Sequence, residues 1–317
     1  MLLGAITMAH YAPMAAGEAS RDDLQTQVHE LTAQIKQLRQ EQSMPAVVLS
    51  RYRNSIGYVY GVYHVGFANQ PPQIRARVSG TGFLVSDHLV ATNRHIAEPW
   101  YGDSEAEKLI RSGAAPIVET LVVFFPGWLT PVRLSEASVS HSSDLAILRA
   151  EDSELLRGLP ILPLAKSPGS AGQFIDVIGY PKGIAGMIAK SPAAINERLA
   201  YRSNDISVAK ELASQSLIRP ISTCGHLSDV IGDVMIYDAA TAHGGSGGPV
   251  FNSDGEVIGV NSAYIDGFSG GSIGISVESL RPLLDGIALR SYDSLKRATG
   301  DKSQYPRSPS AGQGAGS

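Results

Sequence analysis

The feature that most constrains this chain is its punctuation. From about residue 47 to residue 277, short runs rich in Val, Ile, Leu, Tyr and Phe alternate with clusters of Gly, Pro, Asp and Ser at fairly even spacing. The runs at 55–65, 78–85, 88–92, 117–125, 145–149, 174–179, 234–238, 250–252, 257–263 and 272–277 have the composition of strands. Parallel βαβ units would need a helical pattern between successive strands, and these connections are too short and too rich in turn residues for that. The expectation is therefore an all-β, antiparallel barrel or sandwich. Two segments break the texture. Residues 99–114 read as a loop with a helical turn, and residues 183–232 are mixed, with helix expected at 197–199 and 208–217.

Composition narrows the function classes. The 317 residues are 43% hydrophobic, enough for one large β domain or two smaller ones. The formal net charge of −4 comes without a basic stripe, so no nucleic-acid partner is expected. The one cysteine, Cys224, excludes an intramolecular disulfide. It lies in no ligand spacing and reads as a small buried hydrophobe. No metal site or phosphate loop is evident, and no cofactor is expected.

The two ends read differently from the middle. Residues 1–17 carry no Lys, Arg, Asp or Glu, but the apolar run is short and interrupted by His10 and Pro13. It reads as an atypical signal sequence, an anchor remnant or a disordered leader, with export or membrane anchoring favoured over a cytoplasmic location. Residues 18–44 read as a helix. Ser20 and Asp23 suit its first turn, and Leu24, Val28, Leu31, Ile35 and Leu38 recur at alternating spacings of four and three, a short coiled-coil seam. Self-association through residues 20–42 is expected over a helix lying on the protein body. Pro45 is expected to bound this helix. Residues 298–317, rich in Gly, Ser and Pro, read as a disordered tail with no further globular module.

Chemistry concentrates in three places. His243–Asn252 surrounds Ser246 with Gly244, Gly245, Gly247 and Gly248, and a strand-like run follows. A serine in such a turn exposes its hydroxyl beside backbone N–H groups, the parts of a nucleophile next to an oxyanion hole. His95 follows the run His88–Thr92, and Asp144 precedes the apolar run at 145–149. Base, orienting acid and nucleophile are the three roles of a Ser-His-Asp triad, here in the order His, Asp, Ser. His141 is a competing base, and Asp144 could instead cap a turn.

These segments resemble the trypsin-like serine proteases, with the texture of their HtrA/Deg branch. ATNRHIA resembles the strand end that carries the catalytic histidine, SDLAILR the aspartate motif, and GGSGGPVFNSDGEVIGVNSA the nucleophile loop with the strand lining the specificity pocket. The resemblance implies a chymotrypsin-like pair of antiparallel β-barrels after an N-terminal helix. The protease domain would span 46–290, with barrels at about 46–165 and 170–290. It implies His95, Asp144 and Ser246 as the triad, and the N–H groups of Gly244 and Ser246 as the oxyanion hole. Substrate contacts would come from Ala240 at the pocket base and from Asn261, Ser262 and Ala263 along its wall. With no charge among them, a small or medium aliphatic side chain is expected there, not Lys or Arg. The implied activity is hydrolysis of protein or peptide substrates by a serine endopeptidase; a catalytically silent binding or scaffold protein on the same fold is the alternative.

Two departures from the family pattern carry expectations. Gly245 stands where relatives carry Asp or Asn, so a freshly cleaved N-terminus would find no carboxylate there, and the loop is expected to be less constrained. No PDZ domain is expected after the protease segment.

Overall fold

The computed structural model describes residues 21–202, 204–264 and 271–299. The expectations for the leader, and for the tail beyond residue 299, lie outside the described residues. The chain divides into two units, Met1–Ser43 and Met44–Ser317.

In the first unit, residues 21–43 are helical, part of helix α1 (Arg21–Tyr52). Asp22 and Asp23 sit in its first turn, where the helix dipole favours acidic groups. Leu24, Val28, Leu31, Ile35 and Leu38 are 49–63% exposed, so the apolar seam has no cover within its own unit. No described helix is long and apolar enough to cross a membrane.

The helix does not stop at Pro45, as the sequence suggested, but runs on to Tyr52. Proline inside a helix removes one hydrogen bond and costs about 3 kcal/mol or more. Beyond it, Met44, Val48 and Tyr52 share one face and are 1–5% exposed in the core of the second unit. Each such side chain contributes about 1.5–3 kcal/mol on burial, which outweighs the proline. Tyr52 stacks on Phe251 with ring centroids 6.0 Å apart, so this helical end is tied to the strand that follows the Ser246 loop.

The second unit holds two closed six-stranded antiparallel barrels, the chymotrypsin-like architecture. The first is built from β1 (Ile56–Gly66), β2 (Ile74–Leu84), β3 (Leu89–Thr92), β4 (Ala115–Phe124), β5 (Val132–Val139) and β6 (Ala146–Ala150), in the order β1-β2-β3-β6-β5-β4. Short helices α2 (Arg94–Ala97) and α3 (Ser104–Arg111) leave it after β3. The second has β7 (Phe174–Gly179), β8 (Ile221–Ile231), β9 (Val234–Tyr237), β10 (Pro249–Asn252), β11 (Val257–Tyr264) and β12 (Ser272–Ser276), in the order β10-β11-β12-β9-β8-β7. Helices α4 (Gly183–Ala189), α5 (Ala193–Leu199) and α6 (Asp205–Ser214) lie between β7 and β8, and α7 (Val277–Thr299) follows β12.

Each barrel has its own apolar filling: Val59, Leu84, Val90, Val123 and Leu148 in the first, Val177, Leu227, Met235, Val250 and Ile258 in the second. A third and larger cluster joins residues of both barrels, among them Tyr58, Phe124, Ile178, Tyr180 and Phe251, with the end of α1 and with α4–α7. The barrels are thus held together by a continuous apolar seam.

Three further corrections concern elements. Strands β5 and β8 were not expected. β8 has the sequence ISTCGHLSDVI with only Leu227 buried, so it carries almost no apolar signal. It pairs with β7 from Phe174↔His226 to Gly179↔Ile221, and backbone hydrogen bonding makes it a strand. The chain after β12 continues as helix α7, which was not expected, anchored through Val277, Leu280 and Ile287. Cys224, finally, is exposed on β8 and is not the buried hydrophobe its isolation suggested.

Candidate active site

The site is assembled at the ends of strands. β3 and β6 are neighbours with Thr92 opposite Ala146, so the residues just outside that pair are brought side by side. After Thr92, Asn93 is extended (φ −81°, ψ 156°) and the chain turns into α2, which carries His95. Before Ala146 stands Asp144. The His95 backbone N–H donates to Asp144 Oδ1 at 3.0 Å, and His95 Nδ1 lies 2.8 Å from Asp144 Oδ2. With a carboxylate against Nδ1, the proton resides there and Nε2 is left as an acceptor. Asn93 Nδ2 donates to the Asp144 carbonyl at 2.8 Å and locks the two segments together.

Asp144 is largely buried, and burial alone would raise its pKa. The opposing effects win: hydrogen bonding to the His95 ring and its charge, the Ser262 hydroxyl and the His95 amide hold the carboxyl below its ordinary value. Asp144 is therefore poised as an anion beside the imidazole.

Ser246 comes from the other barrel, in the loop between β9 and β10. One residue of the first barrel, Thr81 in β2, ties this loop down. Its N–H donates to the Ser246 carbonyl at 2.7 Å, its hydroxyl donates to the Gly244 carbonyl at 2.8 Å, and that hydroxyl accepts from the Tyr180 N–H at 3.1 Å. Gly247 lies under the same contact, with φ +85° and room only for hydrogen; a Cβ there would sit 2.1 Å from the Thr81 carbonyl oxygen. Among the described residues, neither the Gly244 nor the Ser246 N–H donates to another protein group. Both amides are available to an incoming oxygen.

Gly245 is buried, and its amide donates to the Ala242 carbonyl at 2.8 Å. A Cβ there would lie 2.5 Å from Thr241 Oγ1 and 3.0 Å from the Ala242 carbonyl oxygen, so a larger residue would have to displace the Thr241 hydroxyl. Beside it, a recess lined by Val177, Gly179, Pro181, Ala240, Thr241 and Gly245 holds about 10 Å³. That is about the space one water needs, and too little for a chain terminus.

The structure brings His95 and Asp144 into contact but gives the Ser246 hydroxyl a different partner: Oγ donates to the Ser262 carbonyl at 2.7 Å. The Ser262 hydroxyl donates to Asp144 Oδ2 at 2.6 Å. Ser262, expected only as pocket wall, therefore touches both Asp144 and Ser246. Asn261 is buried and bonded to Tyr237 and Thr241, while Ala263 is exposed. Ala240 is exposed, and its carbonyl accepts from Thr223 Oγ1 at 2.9 Å. His243 and His141 are both exposed, and His141 makes none of the contacts to Asp144 that His95 makes. Among the described residues no cluster of ligating side chains could hold a metal. Sequence reasoning missed the part played by Thr81, although the signal was there in its place between Gly80 and Gly82.

The sequence profile of the trypsin-like peptidase domain matches residues 80–260, more than half of the chain. The mitochondrial serine protease HTRA2 of Drosophila pseudoobscura pseudoobscura is 27% identical over 243 residues, covering 72% of this chain and 42% of that protein. A probable periplasmic serine endoprotease, DegP-like, of Chlamydia pneumoniae is 28% identical over 231 residues, covering 71% and 37%. The chain thus spans well under two thirds of the length of these curated relatives. The solved structure of the serine endoprotease from Yersinia pestis aligns with a TM-score of 0.49 at 18% identity, covering 77% of this chain and 66% of that one. The chain belongs to the trypsin-like peptidase family, and HtrA and DegP proteins are among its relatives.

Proposed function

We propose that this protein is a serine endopeptidase acting on protein or peptide substrates through Ser246, His95 and Asp144. The observation that carries the reading is the paired hydrogen bond between His95 and Asp144 at the end of one barrel, with Ser246 held from the other barrel by Thr81. Ser246 Oγ turns from the Ser262 carbonyl to His95 Nε2 and gives it a proton while bonding to the substrate carbonyl carbon. The N–H groups of Gly244 and Ser246 hold the resulting oxyanion; removing one such donor typically lowers turnover by about 10²–10³. His95 passes its proton to the leaving amine as the C–N bond breaks, and an acyl group remains on Ser246. Water, deprotonated by the same imidazole, then releases the acid and restores the serine. Asp144 fixes the imidazole and stabilises its charged form.

The substrate backbone has a place to lie. β11 pairs with β10 only up to Val260, so among the described residues the edge from Ser262 to Tyr264 has no strand partner on that side, and once Ser246 Oγ turns away from the Ser262 carbonyl it can accept an extended chain, as in strand addition. A silent binding protein on the same fold would not need this pairing of base and acid. Covalent labelling of Ser246 by a fluorophosphonate, lost together with cleavage of an unfolded protein in Ser246→Ala, is the expected result. Cleavage that survives in the folded variant would overturn the assignment.

The reading extends to assembly. Residues 20–42 self-associate through the exposed seam, with Val28 and Ile35 at one core position of the heptad and Leu24, Leu31 and Leu38 at the other. β-Branched residues at the first position and leucine at the second favour two parallel strands.

A further inference from the structure

The helix that carries His95 is a single turn, α2, and its cap residue Asn93 makes no side-chain cap bond. Asp144 stands in another segment, 49 residues later. A one-turn helix and a surface turn fix little geometry by themselves. Besides Asn93, the residue that joins them is Arg94, which immediately precedes His95. Arg94 Nη1 donates to the Ser140 carbonyl at 3.0 Å, and Nε donates to Glu98 Oε2 at 2.5 Å. The guanidinium carbon lies 4.3 Å from the centroid of the Tyr101 ring. The Arg94 side chain is 18% exposed and that of Glu98 16%. A planar guanidinium gripped at two edges and one face has little freedom left, and its bonds to a carboxylate and a carbonyl are charge-assisted.

Ser140 is the root of the turn that presents Asp144. It is buried, its N–H donates to the Leu145 carbonyl at 2.9 Å, and its Oγ accepts from the Ser143 N–H at 3.1 Å. The turn is thus a closed piece. Arg94 fastens it at Ser140, and Asn93 and His95 fasten it at Asp144. Glu136 of β5 lies close enough to feel the same guanidinium. Burial and the Glu98 charge raise its carboxyl pKa, and Arg94 and His141 oppose the rise. Arg94 therefore offsets the repulsion between two carboxylates as well as tying two segments.

We infer that Arg94 is a positioning residue for the reaction: it clamps the Asp144 turn to the His95 helix and so holds the His95–Asp144 pair in register. The inference rests on the proposed peptidase mechanism and deepens it. Arg94 touches none of the reacting atoms in that mechanism and acts through Ser140 and Asp144. The imidazole takes up and gives back a proton in each half of the cycle, and a misplacement of about 1 Å in such a site costs about 100-fold.

The test compares the full wild-type chain with Arg94→Met, Arg94→Lys and the double variant Arg94→Met/Glu98→Gln. Arg94→Met keeps the length and loses every donor. Its kcat on a fluorogenic peptide should fall about 10- to 100-fold with KM within about 2-fold, and fluorophosphonate labelling should slow in parallel. The Nδ1 proton shared with Asp144, read by proton NMR as a far-downfield signal in the wild type, should broaden or vanish. Arg94→Lys keeps the charge but reaches only one acceptor, and should recover part of kcat. The double variant removes the carboxylate repulsion without restoring the bridge and should stay as slow as Arg94→Met; recovery there would overturn the clamp in favour of charge balance. A merely structural arginine would lower the urea midpoint and leave the downfield signal and the kcat of the folded protein unchanged. Variants that fail to fold would make Arg94 part of the fold and overturn the inference. An active wild type with unchanged kcat in Arg94→Met sinks this inference alone; a wild type that neither labels at Ser246 nor cleaves takes the peptidase reading with it.

Discussion

Asp176 offers the sharpest quantitative prediction. It lies in the middle of β7, fully buried, between Cys224 on β8 and Phe251 on β10. Ser222 donates to its Oδ1 at 2.6 Å and Cys224 Sγ lies 3.8 Å from the same atom, but among the described residues Oδ2 has no partner and no cation faces the carboxyl. Burial pushes the carboxyl up to about 6 against the two hydrogen bonds that oppose it. An unfolded aspartate titrates near 3.9, so the folded protein binds this proton more tightly, and stability must fall as pH rises through the interval. The stabilising effect of the proton is full below about pH 4 and is gone above about pH 6. A shift of about two units amounts to about 3 kcal/mol.

Asp176→Asn removes the titration while keeping the Oδ1 acceptor for Ser222. It leaves an amide where Oδ2 is unpartnered, but that cost does not depend on pH. Urea unfolding of both proteins, in a Ser246→Ala background that prevents self-cleavage, should therefore show the variant gaining about 2–3 kcal/mol on the parent between about pH 4 and pH 7.5. Comparing the two proteins cancels every other titrating group, Asp144 included. A difference that stays flat over that range, or that slopes the other way, would refute the reasoning.

Other expectations follow from the site. Ser262→Ala removes the hydroxyl bonded to Asp144 Oδ2 and should raise the Asp144 pKa, shifting the acid limb of the kcat/KM profile to higher pH and lowering the plateau by about 10-fold, as for loss of one hydrogen bond to a charged group. Asp144 itself has a depressed folded pKa, so its stabilising contribution should be complete above about pH 4 and fade as pH falls further, a loss absent from Asp144→Asn in the same urea series. Gly247→Ala forces a methyl against the Thr81 carbonyl and should abolish peptidase activity, with fluorophosphonate labelling as the readout. Leu31→Glu should halve the mass in sedimentation and leave the activity per chain unchanged; an unaltered mass would remove the seam from the account of assembly.

Legibility in the sequence tracked where the physical signal lies. The proposed triad could be picked out because His95, Asp144 and Ser246 stand beside apolar runs in a fixed order, and most strands could be read because their buried faces are apolar. Strand β8 escaped because ten of its eleven residues are not buried and its ladder bonds leave no trace in composition. The passage of α1 through Pro45 escaped because a local rule was overridden by Met44, Val48 and Tyr52, whose burial is a tertiary fact. Thr81 and Ser262 were invisible in their contacts for a related reason. Each acts through partners between 16 and 165 residues away, and spacing cannot reveal such partners.

The bonds made by Thr81 have a consequence for timing. The nucleophile loop is fastened to a residue about 165 positions earlier in the chain, at a joint that exists only once both barrels have closed and met. The first barrel can be finished while the second is still being synthesised, yet a serine without that joint stands opposite no base and beside no formed oxyanion hole. Under the proposed mechanism, catalysis is therefore acquired only after both barrels have folded and met, and a copy whose barrels part loses it with that joint.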